Sequence, residues 1–86
     1  MTDHLATAAE LAPLIERVHG AGHPELTRVR ELTEQITAST DAQTTAGLFR
    51  ELREVTDNYT VPSDGCEAYQ GTYEALAAAD PEHVSA

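Results

Sequence analysis

The sequence predicts an all-α protein, a small antiparallel four-helix bundle with up-down-up-down topology. Four segments carry apolar residues at spacings of three and four, which is the period of one helix face. Short breaks rich in glycine, proline or small polar residues separate these segments, and no stretch alternates as a strand would. A chain of 86 residues is the size of one small domain, so we predict a single domain over residues 1–86.

The most regular pattern lies in the second half of the chain. Two apolar rows share helical spacing there, one of Leu48, Leu52, Val55 and Tyr59, the other of Cys66, Tyr69, Tyr73 and Leu76. Residues 58–64 between them contain Pro62 and small polar side chains, which indicate a turn. We therefore predict a helical hairpin in which these two rows pack against each other.

The first helix is predicted to begin after a cap at Thr2 or Asp3 and to end near His19, before a glycine-rich turn. Pro13 lies inside it and is expected to kink the helix or to start it afresh, because proline removes a backbone hydrogen bond. Its apolar row consists of Leu5, Ala8, Leu11, Ile15 and Val18.

The second helix is predicted to begin at Pro24, which suits a first helical turn, and to end at the polar break of residues 38–41. Its apolar row is Leu26, Val29, Leu32 and Ile36. Thr40 or Asp41 is expected to cap the third helix, which runs to about Asn58.

The fourth helix is predicted to be capped by Ser63 and to end at Asp80, because the residue before Pro81 is disfavoured in helical geometry. Residues 82–86 are expected to be frayed.

The chain is strongly acidic, with 15 Asp and Glu against five arginines and a formal charge of −10. This charge disfavours nucleic acid and anionic membranes as partners and suits basic proteins or cations. No apolar run approaches the length of a membrane span, and the first residues lack the features of a signal peptide. Together with a single cysteine, these features predict a cytoplasmic protein.

Five residues are weak candidates for chemistry. His4, His19, His23 and His83 are the histidines, and His19 and His23 flank one loop, so both could reach a single metal ion. No two histidines lie one turn apart within one predicted helix, as bundle metal sites require, because His19 and His23 are on either side of the glycine-rich turn. Surface histidines are the simpler interpretation. Cys66 is a candidate redox thiol near a helix start, or else a small buried side chain. No catalytic constellation or nucleotide motif is present, which favours a non-enzymatic role.

Two segments resemble the C-terminal, hemerythrin-like domain of the iron–sulfur-cluster repair di-iron proteins. The first is ELAPLIERVHGAGHPEL, which includes the proline within the helix. The second is TDNYTVPSDGCEAYQGTY, in which Tyr69 replaces the family's usual Trp and Gly65 its usual Ala. Its matching residues are Thr56, Asp57, Asn58, Tyr59, Thr60, Pro62, Cys66, Tyr69 and Tyr73. The resemblance implies a four-helix bundle, which in the family surrounds a di-iron centre.

The family's iron ligands lie at one pole of the bundle, and this chain does not match them. His4 does not match the first-helix ligand, and Asp41 and Ala42 stand where the family has a Glu-His pair. The last family histidine would fall near Ala86. His19 matches a family histidine, but at the opposite pole. The resemblance therefore predicts a truncated hemerythrin-like bundle without a di-iron site.

Three functions follow as hypotheses. The first is a non-catalytic module without a cofactor that acts through protein contacts, as a homodimer or with another protein, because the missing pole would expose the end of the core. The second binds iron, another divalent metal or nitric oxide through His19, His23 and Cys66, including across a dimer, in iron handling or nitrosative stress. The third is an acidic carrier protein, although Ser63-Asp64-Gly65-Cys66 lacks a serine after the aspartate.

Overall fold

A computed structural model describes residues 3–82 and confirms the predicted all-α four-helix fold. The helices are α1 (His4–His19), α2 (Glu25–Ala38), α3 (Ala42–Val55) and α4 (Glu67–Ala79). Residues 3–82 contain no strand, and none of their helices combines the length and apolar character that crossing a bilayer requires. Most of the frayed end predicted for residues 82–86, including His83, lies outside the described residues.

The packing order of the helices differs from the predicted one. α1 packs against both α2 and α4, and α2 packs against α3. Within the described range, however, no Cα atom of α3 lies within 8 Å of a Cα atom of α4. The two helices therefore do not form the close hairpin that the sequence predicts, although residues of both apolar rows enter the same core. The segment of residues 56–66 that joins them is long enough for α4 to pair with α1 instead.

α1 begins as predicted, because the Asp3 carboxylate accepts a hydrogen bond of 3.1 Å from the backbone N–H of Ala6. The helix is continuous through Pro13, so it does not start afresh there. Its fully buried residues are Ala8, Ala12 and Ile15. This row continues to the half-buried His19 and leaves Val18 71% exposed, so the assignment of Val18 to the core was wrong.

α2 confirms its predicted apolar row, since Leu26, Val29, Leu32 and Ile36 are all buried. Thr33 is also buried, which the sequence did not indicate. Its hydroxyl donates a hydrogen bond of 2.7 Å to the carbonyl of Val29, one turn earlier. A threonine that bonds to its own helix in this way can enter the core at little cost.

α3 is capped as predicted by Asp41, whose carboxylate accepts a hydrogen bond of 2.8 Å from the Thr44 N–H. The helix ends at Val55, three residues before the predicted Asn58. The cause is a left-handed turn, because φ is 51° at Asp57, 58° at Asn58 and 63° at Tyr59. Tyr59 is therefore buried without being part of α3.

α4 begins at Glu67 with Cys66 as its cap residue, and not at Ser63. Ser63 and Asp64 instead form a tight turn, in which the Gly65 N–H donates a bond of 2.9 Å to the Pro62 carbonyl. Asp80 ends the helix, as the following proline predicts.

One core joins all the helices. It is formed mainly by aliphatic side chains of α1 and α2 together with aromatic ones from the second half of the chain. The largest fully buried side chains are Tyr69, Tyr73, Ile15, Leu26, Leu32, Leu52 and Leu76.

Candidate functional site

The fold gathers the polar candidates at one end of the bundle, where α1 ends and α2 and α4 begin. We call this the histidine end, and it consists of His19, His23, Asp64, Cys66 and Tyr69. The Nε2 atom of His19 lies 3.2 Å from the Sγ atom of Cys66, although the two residues are 47 positions apart. Cys66 is exposed, so the interpretation of Cys66 as a small buried side chain was wrong. The end therefore presents an accessible thiol beside an imidazole.

His23 has different partners. Its Nδ1 atom lies 3.1 Å from Glu25, and its Nε2 atom lies 3.0 Å from a carboxylate oxygen of Asp64. The hydrogen bond with Asp64, supported by Glu25, raises the pKa of His23 above its ordinary value. The same bond lowers the pKa of Asp64. His23 thus links the turn before α4 to the start of α2 through these two contacts.

Tyr69 forms the floor of the histidine end. Its ring meets both imidazoles edge-on, with centroid distances of 5.3 Å to His19 and 5.7 Å to His23. The residue is fully buried, and its hydroxyl makes no hydrogen bond with any described residue. Its ring also packs against that of Tyr73 at 5.0 Å, and burial raises the pKa of Tyr69. The two histidines are therefore held in place by packing on one aromatic ring.

The metal candidates do not form a complete ligand set. His19 and Cys66 form a pair, whereas both ring nitrogens of His23 face carboxylates. Across residues 3–82, no three His, Cys, Asp or Glu side chains are grouped so that they could hold a metal ion. His4 is exposed and lies at the opposite end of the bundle, near Ala79 and Pro81.

That opposite end contains an apolar cleft. It runs along one face of α3, opposite the end of α4, and has a volume of about 460 Å³. We call it the open groove, and its lining residues are Ser39, Thr40, Asp41, Ala42, Thr45, Ala46, Phe49, Arg53, Asp80, Pro81 and Glu82. The groove is thus bounded by one face of α3, by the loop before α3 and by the residues that follow α4.

A second depression of about 620 Å³ adjoins the groove at the start of α1. The two share four lining residues, Ser39, Thr45, Phe49 and Pro81. Leu5, Ile36 and Ala79 add further apolar surface. Both cavities thus lie at the end of the bundle where the sequence predicted an exposed end of the core.

The charged residues of the groove are mostly acids. Its cation, Arg53, donates hydrogen bonds of 2.6 Å to Asp80 and 2.9 Å to Glu82. Asp80 is fully buried, which acts to raise the pKa of its carboxyl group. Hydrogen bonds from Tyr59 and Arg53 outweigh this effect, so the pKa of Asp80 is lowered and it remains a carboxylate.

Sequence reasoning missed this network, because its members are far apart in the chain. Arg53 and Asp80 are 27 residues apart, and Tyr59 and Asp80 are 21 apart, so no local spacing links them. Arg30 pairs with Glu34, one turn away on α2, and also reaches Glu16 on α1. The sequence signal that could have revealed the network was Asp80, an acidic residue at the end of an apolar helix.

No family model, no curated protein and no solved structure matches the chain. The hemerythrin-like resemblance therefore stays a prediction. The arguments for function rest on the geometry of the two ends of the bundle.

Proposed function

We propose that the protein is a non-catalytic helical module that acts through protein contacts, and that the open groove is its contact surface. The observation that carries this proposal is the separation of α3 from α4, which leaves a largely apolar face of α3 without a neighbouring helix. Ala42 and Ala46 on this face are exposed, and Phe49 lies beneath them. An apolar surface of this kind marks a binding site.

The size of the groove allows it to receive side chains of a bound partner. Its volume of about 460 Å³ is within the usual range for pockets that bind ligands. Thr45, Ala46 and Phe49 are at the spacing of one helix face and offer a shallow, even surface. Small side chains on such a face allow another helix to approach closely.

We further propose a shortened hemerythrin-like ancestry without a di-iron site and, because Cys66 is an exposed unpaired thiol, a cytoplasmic location. The homodimer stays a prediction, as one of two ways in which the groove could be covered.

Photo-crosslinking in cells tests the module and its surface. A benzophenone amino acid would replace Ala46 in the groove or, as the matched control, Ala78, an exposed alanine of α4 outside it. We expect a discrete protein adduct from position 46 and none from position 78. Adduct mass would distinguish a second copy of this chain from another protein. Equal labelling at both positions, or none at position 46, would refute the proposal.

A second function, binding of a divalent metal, is favoured by the His19–Cys66 pair. Nitrogen and sulfur ligands on one tetrahedral zinc ion are about 3.5 Å apart, given bonds of about 2.0 and 2.3 Å. The observed separation of 3.2 Å is close to this value. The pair could supply two ligands, and a second chain could supply two more.

Cobalt(II) is a suitable probe, because a cobalt–thiolate bond has a charge-transfer absorption band. This function predicts such a band for the wild-type protein and its loss in both Cys66→Ser and His19→Ala. His4→Ala, which alters an exposed histidine at the other end, should leave the band unchanged. Metal binding should also raise the melting temperature. No band at millimolar cobalt would rule out this function.

A further inference from the structure

We infer that the open groove accepts a basic amphipathic helix from a partner protein. This rests on the proposed function and adds the chemistry of the partner. Three properties of the groove support it, namely its length, its apolar floor and the sign of the charge around it.

The length of the groove corresponds to a short helical segment. The α3 residues that line it run from Ala42 to Arg53, which is about three turns, or roughly 16 Å. A helix that lies along this face would place apolar side chains at positions i, i+3, i+4 and i+7 against α3. Ala42 and Ala46 leave room for those side chains, and Phe49, which is 4% exposed, closes the bottom of the groove.

The charge around the groove selects a basic occupant. Asp41 and Glu82 line the groove, and Asp3 lines the adjoining depression. Arg53 binds Asp80 and Glu82 and offsets only one of the three carboxylates that line the groove, so the lining keeps a net negative charge. The whole chain carries a formal charge of −10, so the long-range field also attracts cations. Lysines or arginines on the outer face of a bound helix would therefore meet favourable potential.

The same charges disfavour a second copy of this chain in the groove. Two copies packed groove to groove would bring Asp41 and Glu82 of one chain towards the same acids of the other. Juxtaposed like charges oppose association. The affinities for the two occupants should therefore respond to salt in opposite directions, because added salt would weaken binding of a basic helix and strengthen self-association.

The test uses a synthetic amphipathic peptide of about 14 residues, with leucines at i, i+3, i+4 and i+7 and lysines on its outer face. One control peptide has glutamates in place of the lysines, and a second has the lysine sequence scrambled. Binding to the full chain is measured by fluorescence anisotropy at low and at physiological salt. The protein variants are Ala46→Gln in the groove, Ala78→Gln outside it, and Glu82→Gln with Glu10→Gln as its control.

We expect the lysine peptide to bind with a dissociation constant in the micromolar range and to bind at least about tenfold more tightly than either control peptide. Ala46→Gln should weaken binding about tenfold and Ala78→Gln less than twofold, because only the former fills the groove. Glu82→Gln should weaken binding about threefold and reduce its salt dependence, whereas Glu10→Gln, exposed on α1, should leave both unchanged.

Other outcomes refute the inference in separable ways. If the lysine and glutamate peptides bind equally well and Ala46→Gln weakens both, the groove is the binding site but its partner is not selected for basic charge. Insensitivity to Ala46→Gln would reject docking of the basic helix in the groove, while the crosslinking experiment separately decides the proposed function. No peptide binding, with a solution mass that doubles as salt is added, would identify a second copy as the occupant.

Discussion

The hydroxyl of Tyr59 donates a hydrogen bond of 2.7 Å to Oδ2 of Asp80, which joins the turn after α3 to the end of α4. Arg53 reaches the same oxygen atom. Because the backbones of α3 and α4 are not in contact, these side chains form a polar bridge at one end of the open groove. Tyr59 is held in a left-handed conformation that a bulky residue rarely adopts.

We predict that Tyr59→Phe lowers the free energy of unfolding by about 1.5 kcal/mol, since the hydrogen bond it removes is buried and ends on a carboxylate. Urea unfolding of Tyr59→Phe, Asp80→Asn and the double variant forms a double-mutant cycle. The two changes should couple by about 1 kcal/mol, because each alters the same bond. Strict additivity would mean that this bond does not contribute to stability.

A second prediction concerns pH and His23. Asp64 and Glu25 raise the pKa of His23 in the folded protein. A raised folded-state pKa gives a stabilising contribution that is fully present below about pH 6.5, the unfolded value, and is lost as pH rises through the folded value. The urea midpoint of the wild-type protein should therefore exceed that of His23→Gln by more at about pH 6 than at about pH 8.5.

His4→Gln is the matched control, because His4 is exposed and has no ion-pair partner among the described residues. This change removes an exposed imidazole that makes none of the contacts of His23, so it isolates the effect of those contacts. NMR titration should place the pKa of His23 above that of a model histidine. A difference between wild type and His23→Gln that does not change with pH would contradict the role of Asp64.

A third prediction compares two glycines. A Cβ atom at Gly65 would lie 2.7 Å from a methyl carbon of Val61 and 3.1 Å from the carbonyl oxygen of Pro62. Gly65→Ala should therefore destabilise the fold by about 1 kcal/mol through overpacking. At Gly47, an exposed position inside α3, a Cβ atom would meet nothing within 4 Å.

Gly47→Ala should stabilise the protein by about 0.5 to 1 kcal/mol, because alanine favours the helix and contacts nothing that must move. Thermal unfolding of both variants, measured side by side, is sufficient. If Gly65→Ala were neutral or stabilising, the close turn at Pro62–Gly65 would not be as tight as described.

A fourth prediction tests the face of α1 that enters the core. Ile15 is 1% exposed, whereas Val18 is 71% exposed. Ile15→Ala should lower the free energy of unfolding by about 3 kcal/mol, and Val18→Ala by less than about 0.5 kcal/mol. Comparable losses of stability at the two positions would support the sequence-based assignment of Val18 to the buried row of α1.

The helices were predictable because each carries its own local signals. The cap residues Asp3 and Asp41, the apolar row of α2 and the stop at Asp80 are all sequence features that act within a few residues. The end of α3 was harder, since three consecutive left-handed residues without a glycine contradict ordinary preference. That geometry is fixed by contacts with Thr56 and by the burial of Tyr59, which depend on the folded structure.

The candidate site could be predicted only in part. His19, His23 and Cys66 were recognised as chemically interesting, but the pairing of His19 with Cys66 joins residues 47 apart and follows from the antiparallel packing of α1 and α4. Spacing suggested instead that His19 would act with His23, its neighbour across the loop. The open groove could not be predicted from any single helix, because its walls come from α3, from the loop before α3 and from the residues after α4.

The partnership of α1 with α4 has a consequence for the rate of folding. α1 and α4 come from opposite ends of the chain, and more than 40 residues separate them. The α2–α3 pair, joined by a three-residue loop, can form early, whereas α4 can cover α1 only after a long loop has closed. Docking of α4 onto α1 should therefore limit the rate of folding. Until α4 docks, the side chains of Ile15 and Leu76 would remain exposed to solvent.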